Sequence, residues 1–369
     1  MRPFQFAVLG LVLSACSFSG SSSSPDAAPR DGGQDGPLPP SPRRIRLTIP
    51  SSSVTAPLVN FPVYVEVTNA DLKLRLDADA SLLSFHLADG APLDHDLQGY
   101  DPDAGTLGAW VRIPALAAAT ETRFELRYGT EAVMAAPNPA GVWSNDFDLV
   151  FHLEENPVND LPVLRNAATA ANPGIPRTLE AVDRIVGQLG RGLDFDDGME
   201  RVEFTNPLTA GAPSTISMWV KDEPAFGDEG LIFLGTQGPL QARWMFSSLN
   251  SNRGSVGLIN DDFTKPDVVF GTWTLLHWTY EGLTSRVYAN GEEAPSSPFT
   301  HTAAAMTGGT TGILGNMPIG FGTNPGLNGA LDEVHISHVV RDAAWIAAEY
   351  ANQRAPATFV VASAPEPLP

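Results

Sequence analysis

From Arg43 to about Ala364 the apolar residues of this chain recur at every second position within short segments, and no other feature limits the fold as much. A period of two puts alternate side chains on opposite faces of a strand, whereas a helix needs a period of about 3.6. In "FPVYVEV", Phe61, Val63, Val65 and Val67 share one face, with Tyr64, Glu66 and Thr68 opposite. "RRIRLTI" does the same with Ile45, Leu47 and Ile49, and "TRFELRY" with Phe124, Leu126 and Tyr128. Turn signals such as Ala88-Asp89-Gly90 and the run from Asp101 to Gly105 separate these segments. Strands with one apolar face suit antiparallel sheets packed on a second layer.

The alternation resumes in "GLDFDD", "RVEF", "TISMWV", "LIFLG", "ARWMFSSL", "SVGLI", "WTLLHWTY", "SRVYANGEE", "GILGNMPIGFG" and "LDEVHIS". About ten short strands in roughly 200 residues point to a jelly-roll sandwich. Asn290-Gly291, between two alternating segments, is the strongest hairpin signal. One helix is expected, "RDAAWIAAEYANQ", capped by Asp342, with Trp345, Ile346, Glu349 and Tyr350 at helical spacing and its aromatic side covering the sandwich. "TFVVAS" (Thr358 to Ser363) reads as a last strand. The expected fold class is all-β, with two β-sandwich domains, the second a jelly roll carrying one short C-terminal helix.

The first residues have another purpose. Arg2 precedes an apolar run, Phe6 to Leu13, too short to span a hydrocarbon layer of about 30 Å. Small residues follow, as signal cleavage requires, and then comes Cys16, the only cysteine of the chain. "LSAC" resembles the bacterial lipobox. The resemblance implies cleavage before Cys16 and lipid on its thiol, and two or more acyl chains anchor a protein stably. Ser17 as the next residue implies sorting to the outer membrane of the bacterial envelope. The expected organisation is a signal peptide over 1–15 and a lipidated, disordered Ser/Gly/Pro tether over 16–42. A β-sandwich of unknown function over 43–136 follows, then a jelly roll over 142–364 and a tail over 365–369. The tether composition has almost nothing to bury, and its span is roughly 30 Å. With a single cysteine there is no disulfide, so stability must come from buried surface.

Lys and Arg number 22 against 42 Asp and Glu, a formal net charge of −20. Nucleic-acid binding requires basic neutralisation of phosphates, so it is excluded as a partner class, and electrostatic adhesion to anionic lipid is excluded likewise. The acid excess suits solubility and supplies oxygen ligands for Ca²⁺.

Several motifs occur in the order of a known family. "GRGLDFDDGMERVEF", "STISMWVK", "WTLLHWTYEGLTSRVYANGEE" and "LNGALDEVHISHVVRDAAWIAAEY" resemble the laminin-G-like (concanavalin A-like) jelly roll over Val142 to Ala364. "FPVYVEV", "GAWVRIPALAAATETRFELRYG", "GVWSNDFDLVFHLEE" and "ANQRAP" are similar to a bacterial domain of unknown function that commonly precedes such jelly rolls on surface proteins. These resemblances imply folds and no established activity.

Jelly rolls host both lectins and glycoside hydrolases, so chemistry must be sought in the residues. The Glu-x-Asp-x-x-Glu and Glu-x-Asp-x-Glu patterns of laminarinase-like hydrolases are absent, and Glu200 and Glu203, three apart on a strand, face opposite sides. Gly-x-Ser-x-Gly and His-Glu-x-x-His are absent as well. His335 and His338 fall on opposite strand faces; His277 reads as a hydrogen-bonded core residue and His152 as structural. Laminin-G-like domains often bind one Ca²⁺ at a sandwich rim, which makes Asp196, Asp197, Asp261, Asp262 and Asp332 the candidate calcium ligands, against the alternative of solvated turns. The run from Asp194 is not an EF-hand loop, because its twelfth position is Thr205. Trp244 and Tyr288 are the candidate aromatic platforms for a ligand. The expected function is a lipid-anchored binding protein for glycan or a surface protein. A structural role in the envelope is the alternative, and a jelly-roll glycoside hydrolase the third reading.

Overall fold

The alternating segments pair as antiparallel strands in a computed structural model that describes residues 41–129, 135–224, 228–247, 255–264, 266, 268–304, 309–318 and 326–368. In the first sandwich, Arg43–Ile49 pairs along its whole length with Thr122–Tyr128, and Leu83–Leu87 and Pro92–Leu93 extend that sheet. The facing layer is Leu58–Thr68, Thr106–Leu116 and His95–Asp101. The faces expected to be apolar meet between the two layers: Ile45, Leu47, Ile49, Phe61, Val63, Val65, Phe124 and Leu126 are all buried. Burying each such side chain stabilises the fold by about 1.5–3 kcal/mol.

The second sandwich has a nine-stranded and a seven-stranded sheet. Gly329–Ser337 is the axis of the first. Ser214–Asp222 lies along one edge, and Arg191–Phe195 and Phe147–Phe151 share the other. The second sheet runs from Asp261–Thr264 through Ser255–Leu258, Ala242–Ser247, Glu229–Gly235, Thr311–Leu314 and Arg201–Thr205 to Ile175–Arg177. Between the sheets lie Phe195, Ile216, Met218, Trp278, Val334 and Ile336 from one side and Ile232, Leu234, Met245, Leu258 and Leu314 from the other. Asn290 (φ 52°) and Gly291 (φ 83°) close the expected hairpin with the two positive φ values of a type I′ turn. The chain is therefore mostly β, with two stacked-sheet layers and a jelly roll distally. No helix among the described residues is long and apolar enough to cross a membrane.

The C-terminal helix, Ala343–Arg354, begins where Asp342 accepts the Trp345 amide at 2.8 Å. It does more than cover the jelly roll. Trp345 and Ala348 enter the core of the first sandwich, with the Trp345 ring 4.7 Å from Phe61. From the other side Gln353 accepts the Trp219 indole N–H at 2.6 Å, and Tyr350 lies 6.0 Å from the Trp219 ring. Asn352 accepts the Tyr64 amide at 2.7 Å and donates to its carbonyl at 2.9 Å, completing the edge of Leu58–Thr68 as a neighbouring strand would. The last strand forms, but on the first sandwich. Val361–Ala362 and Glu366–Pro367 both pair with Arg43–Ile49, and Glu366 also bridges Arg44 and Arg46. Residues 43–49 and 361–367 thus share one sheet, within a single unit that holds both sandwiches.

Candidate functional site

The seam between the sandwiches carries the unusual chemistry. It starts from an irregularity in Gly329–Ser337. Opposite Ser217 to Trp219 this strand has one residue too many, because Ser217 pairs with His335 and Trp219 with Asp332. Glu333 absorbs the excess at φ 47°, a left-handed conformation that costs a non-glycine residue about 1–2 kcal/mol. Leu331, Val334 and Ile336 remain in the jelly-roll core. The bulge lets Asp332, Glu333 and His335 all leave the core face, which strict alternation forbids.

These side chains begin a buried ionic chain. Glu333 Oε2 lies 2.8 Å from His152 Nδ1 and 2.9 Å from His335 Nε2. His152 Nε2 is 3.2 Å from Asp96 Oδ2, and His335 Nδ1 is 3.5 Å from Glu349 Oε1. Asp96 also receives the Arg165 guanidinium at 3.0 Å and the Trp143 indole N–H at 3.2 Å. Glu349 receives Ser217, Trp345 and Gln353, with His277 Nε2 3.3 Å away. Trp110 and Trp143 lie 5.0–6.0 Å from both imidazoles and keep water out. Burial opposes charge on His152, but the Glu333 and Asp96 carboxylates outweigh it and push the imidazolium up to about 10. The same balance raises His335, flanked by Glu333 and Glu349. Burial would raise Glu333, Glu349 and Asp96, yet their cationic neighbours hold all three below the usual carboxylate range. Asp332 goes the other way: burial, then the adjacent Glu333 charge, pushes it well up.

Above the buried chain a cleft of about 270 Å³ opens between the sandwiches. Tyr64, Glu66, Tyr100 and Asp101 form its wall on the first sandwich, and Glu154, Arg184 and Arg191 on the second. Glu154 is fixed by the Arg191 amide at 2.8 Å and the Gln98 amide at 3.1 Å, and Gln98 in turn accepts from Trp110 at 2.7 Å. The hydrogen bonds of the cleft wall thus run to Trp110, whose ring packs against His152 and His335 of the ionic chain. Gly190 (φ 57°) permits the close approach, since a Cβ there would fall 1.8 Å from Glu154 Oε1. Glu66 and Arg191 are exposed and make no side-chain hydrogen bond or ion pair among the described residues, while Tyr100 is half-buried and donates to the Leu72 carbonyl at 3.1 Å.

The residues singled out in the sequence scatter. Cys16 lies outside the described residues. Asp196 and Asp197 are exposed in the turn after Arg191–Phe195, where Asp197 accepts the Met199 and Glu200 amides. Asp261 and Asp262 belong to the other sheet, and Asp261 Oδ2 is engaged by the Thr302 amide and hydroxyl. Asp332 is buried at the seam, accepting the Leu189 amide at 2.9 Å. The five aspartates do not converge. Among the described residues the one group of three or more metal-capable side chains within 4.8 Å of each other is His152, Glu333 and His335. Tyr288 is buried at 4 % exposure and cannot serve as a surface platform, whereas Trp244 is half-buried beside Phe233, Ala242, Ile259 and Ile313. His338 is exposed and faces Asp148 at 2.9 Å.

One further constellation was not legible in the sequence. Ser285 Oγ lies 2.7 Å from His301 Nε2, and His301 Nδ1 lies 2.9 Å from the Asp261 carbonyl. The geometry is that of a nucleophile and its base, but Ser285 is 0 % exposed and already accepts the Trp278 indole N–H at 2.9 Å. A nucleophile must reach a substrate carbonyl, so these residues pin the strands together.

No curated protein matches this chain. Among solved structures, domain 4 of AbnA, an extracellular arabinanase from Geobacillus stearothermophilus, solved with arabinotriose, aligns at 16% identity and a TM-score of 0.43, covering 56% of this chain and 98% of that one. The botulinum neurotoxin serotype D binding domain aligns at 11% identity and a TM-score of 0.43, over 56% of this chain and 52% of that one. A Trypanosoma rangeli sialidase aligns at 13% identity and a TM-score of 0.43, over 61% and 34%. Residues 196–347 match the family model of the Concanavalin A-like lectin/glucanases superfamily, a match in keeping with the two stacked antiparallel sheets of a jelly roll in the distal part of the chain.

Proposed function

We propose that this protein is a glycan-binding protein of the bacterial envelope, held at the outer membrane by lipid on Cys16, with its ligand in the cleft between the sandwiches. The carrying observation is the half-buried Tyr100 beside the uncommitted Glu66 and Arg191 in a concave site. A sugar needs an apolar ring surface for its C–H face and fixed polar groups for its hydroxyls, and this cleft offers both. The tryptophan-backed ionic chain beneath holds the two walls in register, so little ordering cost falls on binding. A tether of the composition found over 16–42 carries the cleft clear of the bilayer.

A glycoside hydrolase would need two carboxylates roughly 5–10 Å apart, one of them free to deliver a proton. Burial raises Glu154, but its Oε1 is tied to two N–H donors and its Oε2 lies 3.6 Å from Arg184, which suits an anchored wall residue. The test is a glycan array probed with the chain from Arg43 to Pro369, with reducing-sugar release measured on every hit. Bound glycans without product support the reading. A blank array refutes it and favours an envelope-assembly role, and product release would assign a hydrolase.

A further inference from the structure

We propose that His152, Glu333 and His335 form a buried site for one divalent first-row transition ion of the zinc type. The three donors converge from Phe147–Phe151 and its continuation and from the bulged strand Gly329–Ser337. Two donor separations are 2.8 and 2.9 Å and all lie within 4.8 Å. Donors of a tetrahedral zinc ion stand about 3.3 Å apart at bond lengths of about 2.0–2.2 Å, so each imidazole need retreat from Glu333 by only about half an ångström.

Three independent features point to a cation here. The first is the far side of each ring. A histidine ligand usually gives its second N–H to a carboxylate, which fixes the tautomer and raises basicity. His152 faces Asp96 at 3.2 Å and His335 faces Glu349 at 3.5 Å in that manner. The second is Glu333 Oε1, which is fully buried and has no hydrogen-bond partner among the described residues. An orphaned buried acceptor costs about 1–3 kcal/mol, and bidentate coordination by Glu333 would satisfy it and bring the donors to four. The third is the left-handed backbone of Glu333, a strain kept where it aims a functional side chain.

The exchange balances. Without an ion, the Nδ1 of His152 and the Nε2 of His335 each need a proton to face the shared Glu333 oxygen. An M²⁺ ion displaces those two protons, forms the two nitrogen bonds and leaves the charge of the cluster unchanged. Imidazole and carboxylate donors without thiolate suit zinc, cobalt or iron(II) better than calcium. Because the ligands are 0–3 % exposed, the ion would enter as the chain folds, and it would tie the bulged strand to the end of its neighbour Phe147–Phe151.

The test expresses the full chain in medium where Co²⁺ replaces Zn²⁺, so the site fills during folding. After desalting, the expected result is one ion per chain by mass spectrometry, the strong visible bands of low-symmetry Co²⁺, and two imidazoles in the X-ray absorption shell. His152→Asn and His335→Asn should each lower retained metal about tenfold or more. Substoichiometric metal on the folded wild-type chain overturns the proposal, as does an absorption shell without imidazole. The wild-type spectra decide the matter even if neither variant folds. Folded variants that keep the ion also overturn it.

Discussion

Trp345→Ala tests whether the C-terminal helix makes the two sandwiches one cooperative body. Trp345 is buried in the first sandwich against Phe61, under the Arg341 guanidinium at 4.1 Å, and its indole N–H donates to Glu349 at 3.2 Å. Truncating a buried tryptophan costs about 3–5 kcal/mol, and the lost bond to a charged acceptor adds about 1.5–3 kcal/mol, so about 5 kcal/mol is at stake. Unfolding entropy is about 2.1 cal/mol/K per residue, which makes the size of the melting shift report the size of the cooperative unit. If roughly 330 residues melt together, the entropy is about 0.7 kcal/mol/K and the melting temperature falls by about 7 °C. If the first sandwich melts alone, with roughly 95 residues, its transition falls by about 25 °C. Scanning calorimetry of wild type and variant should show one transition in each, displaced by the smaller amount. Two transitions, one falling steeply while the other stays in place, would refute the reasoning.

Gly190→Ala must accept φ 57° and place a Cβ 1.8 Å from Glu154 Oε1; the backbone alone costs about 1–2 kcal/mol, so a lowered melting temperature is expected, and an unchanged one would show that the cleft wall yields. Burial, reinforced by Asp222 and opposed by the Asn328 amide, pushes the Glu229 carboxyl up to about 8. Native Glu229 thus keeps a proton that the unfolded chain releases near pH 4.3, and stability should fall as pH rises from there to about 8. Glu229→Gln removes that slope and should gain on the order of 5 kcal/mol over wild type at pH 8 in urea unfolding, at about 1.4 kcal/mol per pKa unit; parallel pH profiles would contradict it. Cys16→Ser should release the protein from membranes on fractionation, and continued retention would remove the lipid anchor from the account.

Much of the fold was legible because side-chain alternation is a local property. The inward residues Ile45, Leu47, Ile49, Phe61, Val63, Phe124 and Leu126 and the turn at Asn290-Gly291 follow from neighbours in sequence. The destination of the C-terminal segment was not legible, since the contact of Trp345 with Phe61 and the pairing of Ala362 with Leu47 join distant parts of the chain. Nor could alternation find the site. A one-residue bulge changes the face of every later side chain, so Asp332 and Glu333 leave the same side only because of the register shift. His335 and His338 looked like the pair to weigh; the actual partner of His335 is His152, reached through Glu333. A positive φ at Glu333 has no sequence signal, because nothing in "LDEVHIS" demands glycine or asparagine there. The aspartates of the "DFDDG" and "NDD" runs stand out by composition, yet the Asp197 carboxylate serves its own turn and that of Asp261 holds Thr302, brought from 41 residues away.

The most direct test of the proposed function is the affinity of the strongest-binding array glycan for wild type and for the Tyr100→Ala and Arg191→Ala variants, measured by calorimetry. Both side chains line the cleft, and Arg191, whose bond to Glu154 comes from its backbone amide, carries no ion pair among the described residues that its loss would break. The account predicts binding weakened by about tenfold or more in each, equivalent to ~1.4 kcal/mol, with the melting temperature little changed in Arg191→Ala and lowered in Tyr100→Ala by the loss of its packing and of its bond to the Leu72 carbonyl. Unaltered affinity in both variants would place the ligand elsewhere on the molecule and contradict the cleft as its site.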